Sequence, residues 1–183
     1  MNTERLRIRP LRAADAEAVH EIHELVGHGR ARRTLDQLRA LYSEMEARPD
    51  EAAGWHGLVV ELGDGVVIGE IGVCVGHPEE KQAELGYSLH PRFWRQGYAT
   101  EALTAVLFDL FSRRRLHRVV ATTAADNVAS RDLLARLGFR LEARNRSAFH
   151  DYRLERWVDS VGYGLLASEW PRADPAGGPA ARS

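Results

Sequence analysis

The stretch "FWRQGYATEA", Phe93 to Ala102, sets Gly97, Ala99 and Ala102 between an aromatic pair and a long apolar run. Ala99, Ala102, Leu103, Val106, Leu107, Leu110 and Phe111 recur at helical spacing, so the small residues stand where a helix begins. The first backbone N–H groups of a helix have no partner inside it and lie at the positive end of its dipole. Two readings follow. The stretch is either an ordinary helix entry with glycine for its turn, or an open helix end where a ligand's phosphates reach the backbone. In the second, Gly97 and Ala99 give room and Thr100 adds a hydroxyl. The pattern is neither GxxxxGK[ST] nor GxGxxG. The glycines of "GEIGVCVG" fall inside an alternating strand, where they mark bends or close packing.

A second signal is "ADNVASRDLLARLGF", Ala125 to Phe139. Asn127 comes directly after the strand "HRVVATT", and Ser130 opens a short helix to Leu137 that Gly138 stops. Alone, this is a capped helix with a glycine stop. Paired with the first segment about thirty residues earlier, each after a strand, it is much less common by chance. The pair resembles the GCN5-related N-acetyltransferases (GNAT), in particular the branch that acetylates ribosomal-protein N-termini and its relatives. The resemblance spans roughly residues 5 to 170 and is strongest in "ELGYSLHPRFWRQGYATEAL" and "NVASRDLLARLGF"; "WVDSVGYGLLASEW" is similar to that branch's last strand.

The resemblance implies acetyl-CoA as co-substrate. The family pattern Q/R-x-x-G-x-G/A falls on Trp94 to Ala99, so backbone N–H groups of Arg95, Gln96, Gly97, Tyr98, Ala99 and Thr100 would hold the pyrophosphate of coenzyme A. Trp94 stands where the family usually has Gln or Arg. Leu89 would pair its backbone with the pantetheine arm and donate its N–H to the oxyanion formed on attack. Asn127 would contact the other side of the pantetheine. Many relatives carry, at the position of Leu134, a tyrosine that protonates the departing thiolate. Leucine cannot, and Ser130, one turn earlier on the same face, is the nearest hydroxyl. Ser130 is then either the acid or a helix cap.

An aliphatic amine is mostly protonated at neutral pH and must lose a proton before it can attack, which calls for a carboxylate. Glu84 lies on the strand approaching the cofactor, sharing a face with Gly86 and Ser88, opposite to Leu85, Tyr87 and Leu89. Glu70 on the neighbouring strand is the other candidate; Glu101 looks structural. No well-placed nucleophile asks for a covalent enzyme intermediate, which favours direct attack in a ternary complex. The acceptor, a small-molecule amine or a protein N-terminus, would be gripped by the first two helices and the loop before the last strand. The acidic residues Glu21, Glu24, Glu44 and Glu46 offer attraction to a cation. A non-catalytic acyl-CoA sensor is the alternative.

The elements that must position these residues can be read from periodicity. "RLRIR" is a first strand, Asp15 caps a helix with Val19, Ile22 and Val26 inward, and Thr34 with Gln37 forms a capping box. That second helix carries Leu35, Leu38, Leu41, Tyr42 and Met45 and is closed by Pro49. "GLVVEL" and "VVIGEIGVCVG" pair about a turn at Gly63 to Gly65, and "QAELGYSL" adds a strand. "FRLEAR", a loop, and "WVDSVGYGLLASEW" close the sheet. The order β-α-α-β-β-β-α-β-α-β-β predicts a single α/β GNAT-like domain over 1–170, a mixed central sheet flanked by about four helices. Residues 171–183, with three prolines and no large apolar side chain, predict a disordered tail.

Composition narrows the rest. The 183 residues suit one domain, and a net charge of −1 gives no global pull toward nucleic acid or membrane. Cys74 alone permits no internal disulfide and no cysteine-based metal site. "HEIHELVGH" is not HExxH, because His23 and His28 stand five apart instead of four, so no metal is expected. The cations of "SRRRLHR" suit a helix C-terminus, and Arg131 and Arg136 read as exposed helix residues. The N-terminus lacks an apolar signal core, and no run approaches the roughly 20 residues of a membrane span. The expectation is a cytoplasmic protein; analogy with the branch suggests a homodimer.

Overall fold

The computed structural model describes residues 1–26, 33–49, 52–76, 78–151 and 154–170. Seven strands form one mixed sheet in the order β1-β2-β3-β4-β5-β7-β6. They are β1 Leu6–Pro10, β2 Gly54–Leu62, β3 Val67–Val75, β4 Gln82–Leu89, β5 Arg118–Ala124, β6 Arg140–Asp151 and β7 Arg156–Leu166. The helices are α1 Ala16–Val26, α2 Leu35–Glu46, α3 Tyr98–Phe108 and α4 Val128–Arg136. The expected architecture is therefore present, and residues 171–183 lie outside the described residues.

Two apolar clusters sit on opposite faces of the sheet. The larger joins Ile8, Ile71, Leu85, Val119 and Tyr163 to Leu103, Val106 and Leu107 of α3 and Leu134 of α4. The smaller holds Val19 of α1 and Leu38 and Tyr42 of α2 against Val59. Burial of these side chains, at about 25 cal/mol per Å² of apolar surface, is what fixes the helices to the sheet. The α3 stripe continues beyond Phe108 through a π-helical turn, Asp109–Arg113, which buries Leu110 and Phe111. Arg113 of that turn and Arg114 just after it both pair with Asp109.

Several boundaries differ from the sequence reading. Thr34 and Gln37 form the capping box of α2. Asp15 does not cap α1. It is buried in a 3-10 turn, accepting from the Arg12 N–H at 2.8 Å and from Arg9 Nη1 and Nη2 at 2.7 Å each. Arg9 also bonds Glu61 through Nε at 2.7 Å. β2 begins at Gly54, three residues earlier than "GLVVEL" suggests. α4 begins at Val128, and its cap is Asn127, whose Oδ1 accepts from the Ser130 N–H at 3.1 Å; Ser130 lies inside the helix. The segment after "FRLEAR" is not a loop: β6 runs on to Asp151. Register shifts at Leu141/Ala143 and Asn145/Phe149 break its alternation, which hides a strand from a period-2 reading.

Candidate active site

Among the described residues, β4 and β5 are the only parallel neighbours in this sheet, and they pair over Gln82–Glu84 with Arg118–Val120. β4 then continues to Leu89 and β5 to Ala124, so the two strands part. On its other side β4 is fully paired to β3, where the His90 N–H donates to Ile68 O and the Gly76 N–H to Gln82 O. Even-numbered residues of β4 therefore form that ladder. The backbones of Tyr87 and Leu89 turn instead toward the opening. Gly69 lies opposite Leu89, and a Cβ on it would fall 2.6 Å from Ser88 O, so only glycine lets β3 approach there.

The chain leaving β4 makes the loop that the sequence singled out. Arg95 has φ 60° and Gly97 φ 85°, two left-handed residues flanking Gln96. Successive peptides in such alternation form an anion-binding concavity. Gly97 is the N-cap of α3 and offers no side-chain cap, unlike Thr34 at α2 and Asn127 at α4. The first bond inside α3 runs from the Glu101 N–H to Gly97 O at 3.0 Å. The N–H groups of Tyr98, Ala99 and Thr100 thus face out of the helix end, and the loop from Arg95 to Gly97 is exposed. Trp94, which stands where the family usually has Gln or Arg, donates its indole N–H to Leu89 O at 2.7 Å. It ties the loop to the end of β4.

On the opposite lip stands α4. Ser130 Oγ is 2.8 Å from the Tyr87 hydroxyl, which crosses from β4. Burial pushes the Tyr87 phenol up to about 12, so it stays protonated at any physiological pH. Leu134 is fully buried in the core. Arg131 is not a free surface cation: its Nη1 donates to Ala125 O at 2.9 Å.

The two candidate carboxylates are separated by the geometry. Glu84 is exposed at the closed end of β4, opposite Cys74 and Val120, and five residues before Leu89, about 17 Å along the strand. Glu70 is buried, directly opposite Ser88 and one residue from Gly69, beside the opening. Its Oε1 lies 2.6 Å from His23 Nε2 of α1, and its Oε2 accepts from the Tyr42 hydroxyl of α2 at 3.3 Å. Sequence reasoning met His23 only as a metal candidate, yet its spacing from Val19 and Ile22 already turned it inward. Cys74 lies in β3, where burial raises its thiol, so it does not form a ready thiolate. Glu101 binds Thr3 and Arg5, a structural tie between the N-terminus and α3.

A parting of two strands beside an uncapped helix end, crossed by a carboxylate on one face and a hydroxyl pair on the other, fits a ligand with a linear arm and a phosphate group. The family model of the acetyltransferase (GNAT) domain matches residues 5–140. The chain belongs to the GNAT acetyltransferases. Among GNAT relatives, an uncharacterized N-acetyltransferase of Bacillus subtilis, YoaA, is 29% identical over 148 residues, covering 78% of this chain and 83% of the relative. The ribosomal protein uS5-alanine N-acetyltransferase of Escherichia coli is 36% identical over 88 residues, covering 47% of this chain and 43% of that one. Spermidine N-acetyltransferase from Vibrio cholerae, solved in complex with CoA and spermine, shares the GNAT fold at a TM-score of 0.79 and 21% identity, over 90% of this chain and 96% of that one. Among the described residues no helix is long and apolar enough to cross a membrane.

Proposed function

We propose that this protein moves an acetyl group from acetyl-CoA to a primary amine by direct attack in a ternary complex. The observation that carries the reading is the opening of β4 from β5 beside the uncapped N-terminus of α3. N–H groups of Arg95, Gln96, Gly97, Tyr98, Ala99 and Thr100 would hold the pyrophosphate. Tyr87 and Leu89 would offer their backbones to the pantetheine arm from one side, with Asn127 on the other. Because the Asn127 Oδ1 is engaged by α4, its amide nitrogen is the group left for a ligand.

Of the two carboxylates we assign the base to Glu70. It takes a proton from the attacking amine as the C–N bond forms; His23 and Tyr42 hold it in place. The C–S bond breaks and the thiolate leaves; it receives the Ser130 hydroxyl proton as Ser130 takes one through Tyr87, which recovers it from solvent, while Glu70 gives its proton up to solvent. The Leu89 N–H stabilises the oxyanion between these steps. The acceptor enters on the α1–α2 side, where Glu70 lies, and both a small amine and a protein N-terminus suit it. The likeness to spermidine and ribosomal-protein acetyltransferases supports an amine acceptor of one of these two kinds.

Release of free coenzyme A from acetyl-CoA, measured against a panel of polyamines, aminoglycosides and short peptides, tests the reading. Turnover with one class identifies the acceptor. Tight coenzyme A binding with no turnover on any amine would favour a sensor and overturn the enzyme.

A further inference from the structure

Arg5, immediately before β1, lies far in sequence from every residue assigned above, yet its guanidinium sits beneath the phosphate loop. Nε and Nη2 both bind Glu101 Oε2 of α3, at 2.7 and 2.6 Å. Nη1 donates to Gln96 O at 3.0 Å, and the guanidinium carbon lies 4.4 Å from the Tyr98 ring centroid. A Cβ built on Gly97 would come within 3.2 Å of Nη2. Arg5 thus touches Gln96, Tyr98 and Glu101 and borders Gly97. One side chain spans the whole loop.

The contact to Gln96 O has a directional consequence. In a trans peptide the C=O and the following N–H point opposite ways. Holding the Gln96 carbonyl inward, toward Arg5, turns the Gly97 N–H outward. The left-handed turns at Arg95 and Gly97 allow this orientation but do not enforce it, since the Gln96–Gly97 peptide turns by counter-rotation of Gln96 ψ and Gly97 φ, and glycine accepts a wide range of φ. We propose that Arg5 is a positioning residue for the coenzyme: by clamping the Gln96 carbonyl it aims the Gly97 N–H at the pyrophosphate. This rests on the acetyl-CoA reading above. Lysine cannot substitute, because a single ammonium lacks the planar fork that serves Glu101 and Gln96 together.

The test combines calorimetric titration of coenzyme A with the NMR shift of the Gly97 amide in ¹⁵N-glycine-labelled protein. In the parent, coenzyme A moves the Gly97 amide strongly downfield. In Arg5→Lys that displacement falls by more than half and affinity drops about tenfold, or ~1.4 kcal/mol. In Glu101→Gln, which keeps Arg5 and an acceptor oxygen, the Gly97 displacement persists. Equal displacement and affinity in parent and Arg5→Lys would overturn the proposal. So would a loss in Glu101→Gln as large as in Arg5→Lys, because the ion pair and not the carbonyl clamp would then matter. A parent that binds coenzyme A without moving Gly97 also overturns it. A parent that binds no coenzyme A removes the acetyl-CoA reading first, and the two failures are thereby told apart.

Discussion

Replacing Glu70 by glutamine tests the base assignment with little disturbance of shape. Glutamine has the same size, and its amide still meets His23 and Tyr42, so the pocket between α1, α2 and β3 is retained. What disappears is proton affinity. A general base is worth about 10²- to 10⁴-fold, and we expect kcat/KM for the acceptor to fall about 100-fold at pH 7, about 2.7 kcal/mol on the barrier. The loss carries a pH signature. An aliphatic amine with a pKa near 10.4 arrives neutral as the pH approaches that value, so the base matters less. The defect is expected to shrink below about tenfold at pH 10. Glu84→Gln, at the closed and exposed end of β4, is expected to change kcat/KM less than threefold. Continuous detection of the released thiol across pH 6.5–10 reads all three enzymes. A loss in Glu70→Gln that stays constant to pH 10 would refute proton abstraction, and a larger loss in Glu84→Gln would refute the placement.

Gly97→Asp puts a side chain on a residue with φ 85° and a negative charge where we propose the pyrophosphate binds, so coenzyme A affinity measured by calorimetry is expected to fall at least about 50-fold. Arg9→Met leaves Asp15 and Glu61 buried without their shared cation; loss of about 3 kcal/mol, read as a Tm lowered by roughly 10 °C, is expected. Because Arg9 and the Arg12 N–H hold Asp15 below its ordinary value, against the cost of burial, its contribution is present above the unfolded carboxylate pKa. It fades as pH falls through the lower folded value. Tyr87 shifts the other way: raised to about 12 from 10.0, it favours the folded state below pH 10 and loses that contribution as pH rises to 12. Tyr87→Phe is expected to remove that part of the alkaline decline, on the order of 2 kcal/mol, seen in urea unfolding between pH 9 and 12.

Local patterns carried much of this structure. The α3 stripe, the Thr34–Gln37 box and the alternation of Leu85, Tyr87 and Leu89 depend on neighbours within one element, and each can be read from spacing. β6 could be read this way only as far as "FRLEAR", since Arg140 to Ala148 are all exposed and its register shifts twice, so no buried face marks the period. The distance separating Glu84 from Leu89 was legible by counting residues along β4. What spacing could not supply was the partner of Glu70. His23 and Tyr42 stand 47 and 28 residues from it and meet it only after two helices fold across one sheet face. Arg5 is hidden for the same reason: 91 residues separate it from Gln96.

The gap between β4 and β5 also has a mechanical meaning. Among the described residues, the leaf formed by β1 to β4 and the leaf formed by β5, β7 and β6 share no ladder beyond three residue pairs. A coenzyme arm lying in the gap would act as an eighth strand made of non-protein material, stitching the leaves together at their loose end. Amide exchange at Tyr87, Leu89, Thr122 and Ala124, whose backbones face the gap, should therefore slow together when the arm is bound. The enzyme would complete its own sheet only when loaded, and product departure would unpick that seam each turnover.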